Sequence, residues 1–117
     1  MVARVLIVED EALVALDIAG QLTEAGLTVV GPAVSVAGAL QLIGNSGCDA
    51  AVLDINLGCE TSEPVAQELR TKNVPFVILT GYAKSAALRG YDGAPVISKP
   101  ARPVELIAAL LRCLSRN

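Results

Sequence analysis

The sequence contains no histidine and no tryptophan, and its aromatic residues are one phenylalanine and two tyrosines. Three aromatics are too few to stack on a flavin. Cys48, Cys59 and Cys113 form an odd, widely spaced set with no Cys-x-x-Cys, and without histidine they give no structural zinc site. The simpler reading is free thiols in a reducing cytosol, acting as passive fillers. Positive charge is also scarce, with nine Lys and Arg against twelve Asp and Glu and a formal net charge of −3. Phosphate backbones demand a basic face, so general nucleic-acid binding is excluded. No apolar run reaches the roughly 18 residues needed to cross a bilayer, and the N-terminus reads as a strand rather than a signal peptide. No internal repeat, linker, helix-turn-helix or second enzymatic domain is visible. At 117 residues the chain is expected to form one domain over residues 1–117.

What the sequence has is apolar residues: 53% of the chain, with a mean hydropathy of +0.56. Disorder is excluded, and a sheet covered on both faces fits. The organising stretch is residues 49–57, an apolar run too short for a helix that delivers one carboxylate, Asp54. Such a run fits a strand buried on both faces. Three others end in polar residues: 4–8 at Glu9-Asp10-Glu11, 76–79 at Thr80-Gly81, and 95–98 at Lys99-Pro100. A short strand over 27–30, broken by Gly31-Pro32, makes five.

Helical patterns alternate with these strands. Residues 12–25 carry Val14, Ile18, Leu22 and Ala25 on one stripe, closed by Gly26. Ser35 caps a second helix through Val36, Leu40 and Ile43, ended by Gly44-Asn45 or Gly47. A loop over 58–61 precedes a third helix, with Ser62 as cap, Pro64 in the first turn and Val65 and Leu69 buried. A weak helical segment over 85–89 follows the fourth strand. The last helix starts near Arg102-Pro103 and carries Leu106, Ile107, Leu110, Leu111 and Leu114. This alternation implies an α/β, open, doubly wound parallel sheet with right-handed crossovers and the flavodoxin-like order 2-1-3-4-5. Asp10 and Asp54 then face each other at the switch point.

Carboxylates crowded together resist ionising unless a cation sits among them. Carboxylate, carbonyl and water ligands select hard ions, and Mg²⁺ usually keeps waters and takes a phosphate oxygen. Asp54 beside such an ion suits nucleophilic attack on phosphorus. Thr80 can donate a hydrogen bond to a phosphate oxygen and Lys99 can supply a point charge. The rival readings are structural: Asp54 as a cap at a strand end, Glu9, Asp10 and Glu11 as a solvated first turn favoured by the helix dipole, Thr80 or Asn56 as turn residues, and Lys99 as a surface lysine. The solvated reading is preferred for Glu11 alone. Arg89 and Tyr91 read as surface residues.

Glu9-Asp10, Asp54, Thr80 and Lys99-Pro100, each at a strand end and in this order, resemble a two-component response-regulator receiver domain. The resemblance covers the whole chain. It implies that Asp54 accepts a phosphoryl group from a histidine kinase or histidine phosphotransfer protein. It further implies that Asp10 binds Mg²⁺ directly, Glu9 through water and Asn56 through its main-chain carbonyl, while Thr80 and Lys99 contact the phosphate. A downstream protein is the implied target. No enzymatic activity beyond the domain's own phosphorylation and dephosphorylation is implied. The chain either works alone or was cut from a larger protein such as a hybrid kinase, and a homodimer stays open.

Several positions depart from the commonest receiver pattern. Gly58 replaces the proline found four residues after many phosphoacceptors, and Val96 replaces the aromatic switch residue of the fifth strand. Phosphorylation is therefore expected to act by order–disorder in the segment after Thr80. Leu79-Thr80-Gly81-Tyr82, the missing aromatic and the weak fourth helix resemble a subgroup of mostly single-domain receivers. It is named for a Phe-Ala-Thr-Gly-Tyr-like motif and linked to alphaproteobacterial stress and sensory signalling; here Ile78-Leu79 stands for Phe-Ala. Tyr82 has three readings: partner contact, gate over the phosphosite, or loop packing. A haloacid-dehalogenase-type phosphatase is the enzyme alternative, against which Asp54-Ile55-Asn56 lacks a second aspartate and the chain lacks a cap domain. A non-phosphorylated interaction module is the third reading.

Overall fold

The apolar runs become β1 (Arg4–Val8), β2 (Thr28–Ala33), β3 (Ala50–Asp54), β6 (Phe76–Thr80) and β7 (Val96–Ser98) of one five-stranded parallel sheet. The computed structural model describes residues 2–81, 90, 91 and 93–115. Strand order is β2-β1-β3-β6-β7, which is the anticipated 2-1-3-4-5 once the strands of this sheet are counted in sequence. Between β3 and the third helix lies a small antiparallel hairpin, β4 (Asn56–Leu57) and β5 (Glu60–Thr61), where the sequence reading has the end of the 49–57 run and a loop over 58–61. Four helices are seen among the described residues: α1 (Ala12–Glu24), α2 (Val36–Asn45), α3 (Glu63–Thr71) and α4 (Pro103–Leu114). The expected weak helix at 85–89 lies outside the described residues.

Alternation along the strands sorts the core into two layers. Leu6, Val8, Ala51, Leu53 and Ile78 meet Ala39 and Ile43 of α2 and Val65, Ala66 and Leu69 of α3. Val5, Ile7, Val52, Val77 and Leu79 meet Ile18 and Leu22 of α1 and Leu106, Ala109 and Leu110 of α4. Every residue of β3 and β6 is buried, which is why those runs are continuously apolar rather than alternating.

Three helix faces differ in detail from the expected stripes. In α1 the buried set includes Ala15, while Ala25 lies past the helix end and is exposed. Ala39, not Leu40, accompanies Ile43 in α2, and Ala109 and Cys113 take the place of Leu111, which is 52% exposed. Small residues sit where helix and sheet approach closely, and a leucine-weighted reading passes over them. Ser35 caps α2 as expected, its hydroxyl accepting from Gly38 N–H at 3.1 Å. Ser62 stands at the N-cap of α3 but makes no cap bond with its side chain. Of the cysteines, Cys113 is buried and Cys48 half-buried, whereas Cys59 is exposed on the hairpin turn and fills nothing.

The expected break at Gly31-Pro32 is instead a bulge inside β2. Leu6 pairs with Val30 and Val8 with Ala33, so β2 spends three residues where β1 spends two. Gly31 has φ 94°, and a Cβ there would lie 2.8 Å from Ala33 N and 3.2 Å from Ile7 O. Pro32 is tolerated because β2 is an edge strand. No helix among the described residues is long and apolar enough to cross a membrane.

Candidate functional site

Parallel strands in register bring their carboxyl ends to one edge. Val8 pairs with Leu53, Asp54 with Leu79, and Thr80 with Ser98, so the residues just past each strand share a crevice. The backbone closes that edge further: Lys99 N–H donates to Thr80 O at 2.9 Å, and Glu9 N–H to Ala33 O at 2.9 Å.

Four of the side chains singled out in the sequence converge there. Glu9, Asp10 and Asp54 each offer a carboxylate oxygen, all within 4.8 Å of one another. The Lys99 ammonium lies 3.0 Å from Glu9 Oε1 and 3.3 Å from Asp54 Oδ2. Glu9 and Asp54 are buried, and Asp10 is exposed. Glu9 Oε2 accepts from Glu11 N–H at 3.1 Å, which orients the carboxylate inward. Glu11 itself points to solvent, 3.7 Å from Lys99. Thr80 is buried at the end of β6. Asn56 opens β4 with an exposed side chain, two residues beyond Asp54. Tyr82 lies outside the described residues.

Burial sets the electrostatics. Loss of hydration pushes the carboxyls of Glu9 and Asp54 above the ordinary carboxylate range, more than the Lys99 ammonium pulls them down, and for Glu9 the Asp54 charge adds a smaller push. For Lys99, burial alone would lower the pKa. The facing carboxylates of Glu9 and Asp54 outweigh it and hold the ammonium above its usual value. The pocket is thus short of positive charge, and its donors are all oxygen, a set that suits a hard divalent cation. The hairpin roofs one side: a Cβ at Gly58 would lie 4.0 Å from Asp10 Oδ2. Glu60 Oε2 accepts from Val36 N–H at 3.0 Å, tying the hairpin to the start of α2.

Beside the site, Tyr91 was misread from sequence. Tyr91, taken as a surface residue, is 2% exposed, and its hydroxyl lies 2.8 Å from Ser62 Oγ. No local pattern announces this, because the partners are 29 residues apart. Arg89 lies outside the described residues.

A family model described as the response regulator receiver domain matches residues 5–111. The transcriptional regulatory protein PdtaR of Mycobacterium tuberculosis H37Rv is 32% identical over 117 residues, covering 97% of this chain and 57% of that protein. The chain therefore spans little more than half the length of this curated relative. Among solved structures, a response regulator from Chloroflexus aurantiacus superposes with a TM-score of 0.89 at 30% identity, covering 99% of this chain and 100% of the other. The anti-anti-sigma factor PhyR from Bartonella quintana gives 0.82 at 26% identity, over 97% of this chain and 48% of PhyR. Fold, strand-end chemistry and relatives agree, and the chain belongs to the response regulator receiver domain family.

Proposed function

We propose that this domain is the phosphoacceptor of a two-component phosphorelay, with Asp54 taking a phosphoryl group from a histidine kinase or histidine phosphotransfer protein. The observation that carries this reading is the placement of the Lys99 ammonium 3.3 Å from Asp54 Oδ2, beside three carboxylates within 4.8 Å of each other. That donor set fits Mg²⁺, held by Asp10 and Asp54 directly, by Glu9 through water and by the Asn56 carbonyl. When bound, the ion supplies charge neutralisation for the transferring group. An Asp54 carboxylate oxygen attacks phosphorus, the phosphorus–nitrogen bond of the donor breaks, and the imidazole leaves with its electron pair. Lys99 then pairs with a phosphoryl oxygen, and the Thr80 hydroxyl donates to another. The chemistry is confined to the domain's own phosphorylation and dephosphorylation, in the cytoplasm.

The partner surfaces follow from position. A groove beside Lys99, lined by Leu13, Ile18, Leu79 and Pro100, is apolar and continuous with the phosphosite, which suits a helix bearing the donor histidine. Leu13 of α1 is largely exposed along it. Leu79-Thr80-Gly81-Tyr82 and Val96 support membership of the Phe-Ala-Thr-Gly-Tyr-motif subgroup. The similarity to PhyR, described as an anti-anti-sigma factor, supports an output through protein contact. Incubation with acetyl phosphate and Mg²⁺, followed by intact mass, is expected to add one phosphoryl group to the wild type and none to Asp54→Asn. Equal labelling of both, or none of either, overturns the reading.

A further inference from the structure

The Asn56 hairpin is held from outside by a residue far along the chain. Ile55 O, directly after Asp54, accepts from Ser62 N–H at 2.9 Å and closes the base of the β4–β5 hairpin. Ser62 is fully buried, and its hydroxyl forgoes the helix cap to meet Tyr91 at 2.8 Å. Tyr91 comes from the connection between β6 and β7, which starts at Thr80. Gly90, beside Tyr91, is set against α3 by two further contacts. Arg70 Nη1 donates to Gly90 O at 3.1 Å, and Gly90 lies so close to Glu63 that a side chain there would collide with the carboxylate. Burial raises the Tyr91 pKa, so the hydroxyl stays neutral and serves only as a hydrogen-bonding group.

We propose that Tyr91 is a positioning residue for divalent-cation binding: through Ser62 it fixes the hairpin that carries the Asn56 carbonyl. One hydroxyl–hydroxyl bond then links the two segments flanking the phosphoacceptor, the one leaving Asp54 and the one leaving Thr80. This rests on the Mg²⁺-dependent reading above. A shared link has a recognisable signature, because removing either end breaks the same connection and removing both breaks nothing more.

The test is a Mg²⁺ titration followed by amide chemical shifts on wild type, Tyr91→Phe, Ser62→Ala and the double variant, well below their melting temperatures. Tyr91→Phe keeps the ring and its packing, so the fold is retained. Groups outside the direct ligands commonly change metal affinity by ~10-fold or more, and for this more remote link each single variant is expected to weaken binding about three- to tenfold. The double variant is expected to be no weaker than the worse single. Metal-free hydrogen exchange at residues 56–61 should rise in step in all three variants. Unchanged affinity in both singles, or losses that add in the double, would overturn the positioning role while leaving the phosphoacceptor reading intact. A wild type that binds no Mg²⁺ at millimolar concentration would instead remove the phosphoacceptor reading and the inference with it.

Discussion

Gly58 has φ 68°, a conformation that proline cannot take and that other L-residues take at a cost. The departure from the proline common at this position of the family is thus written into the backbone of the hairpin turn. Gly58→Ala is expected to lose ~1–2 kcal/mol of stability in denaturant unfolding, the penalty of a Cβ in the left-handed region. At this scale the sequence was readable wherever chemistry and strand ends coincide: Glu9, Asp10, Asp54 and Lys99 were picked out as residue types in an order, and they meet. The bond between Ser62 and Tyr91 was not readable: one was taken as a helix cap and the other as a surface residue, and their meeting depends on how α3 packs against a residue 29 positions away.

Elements were legible where periodicity is strong and ambiguous where backbone geometry overrides composition. The five sheet strands and their order followed from apolar runs separated by helical stripes. Gly31-Pro32, by contrast, reads locally as a terminator and acts as a bulge, because pairing with β1 continues on its far side. The β4–β5 hairpin, with two residues in each strand, is too short to leave a period. Helix α1 shows how far a face can be trusted. Ile18 is buried in the layer shared with α4, whereas Leu13 is 82% exposed. Ile18→Ala is expected to cost ~2–4 kcal/mol and Leu13→Ala no more than ~0.5 kcal/mol in urea unfolding. If Leu13→Ala nonetheless slows phosphorylation by a histidine donor but not by acetyl phosphate, the groove beside Lys99 is the donor's seat.

For the molecule as a whole, the burial of two carboxyls in the crevice couples folding to pH. The Glu9 and Asp54 carboxyls have folded pKa values raised above the unfolded ones. The folded chain therefore holds protons more tightly, and the stability this contributes is complete below the ordinary carboxylate pKa of ~4 and lost as pH rises through the raised values. Lys99, raised as well, keeps its contribution until pH passes its own elevated pKa, above ~10.4, so it leaves the neutral range untouched. A divalent cation favours the ionised acids and reverses the trend. The gain in melting temperature on adding Mg²⁺ is accordingly expected to be larger at about pH 7.5 than at about pH 5.5. At a hundredfold excess over the dissociation constant, the stabilisation should approach ~2.7 kcal/mol. Glu9→Gln removes one of the raised acids and should flatten the pH dependence of the metal-free protein.

The bulge in β2 has a bearing on self-association. Pro32 removes one N–H from the outermost ladder and the extra residue bends the strand, while the opposite border of the sheet, β7, is only three residues long. Among the described residues, neither border of this sheet offers a long straight row of unsatisfied amides on which another polypeptide could polymerise as added strands. Copies of this domain that meet in solution must do so through side chains on their helices or loops, and a concentrated solution should resist amyloid-like deposition for as long as the sheet stays folded.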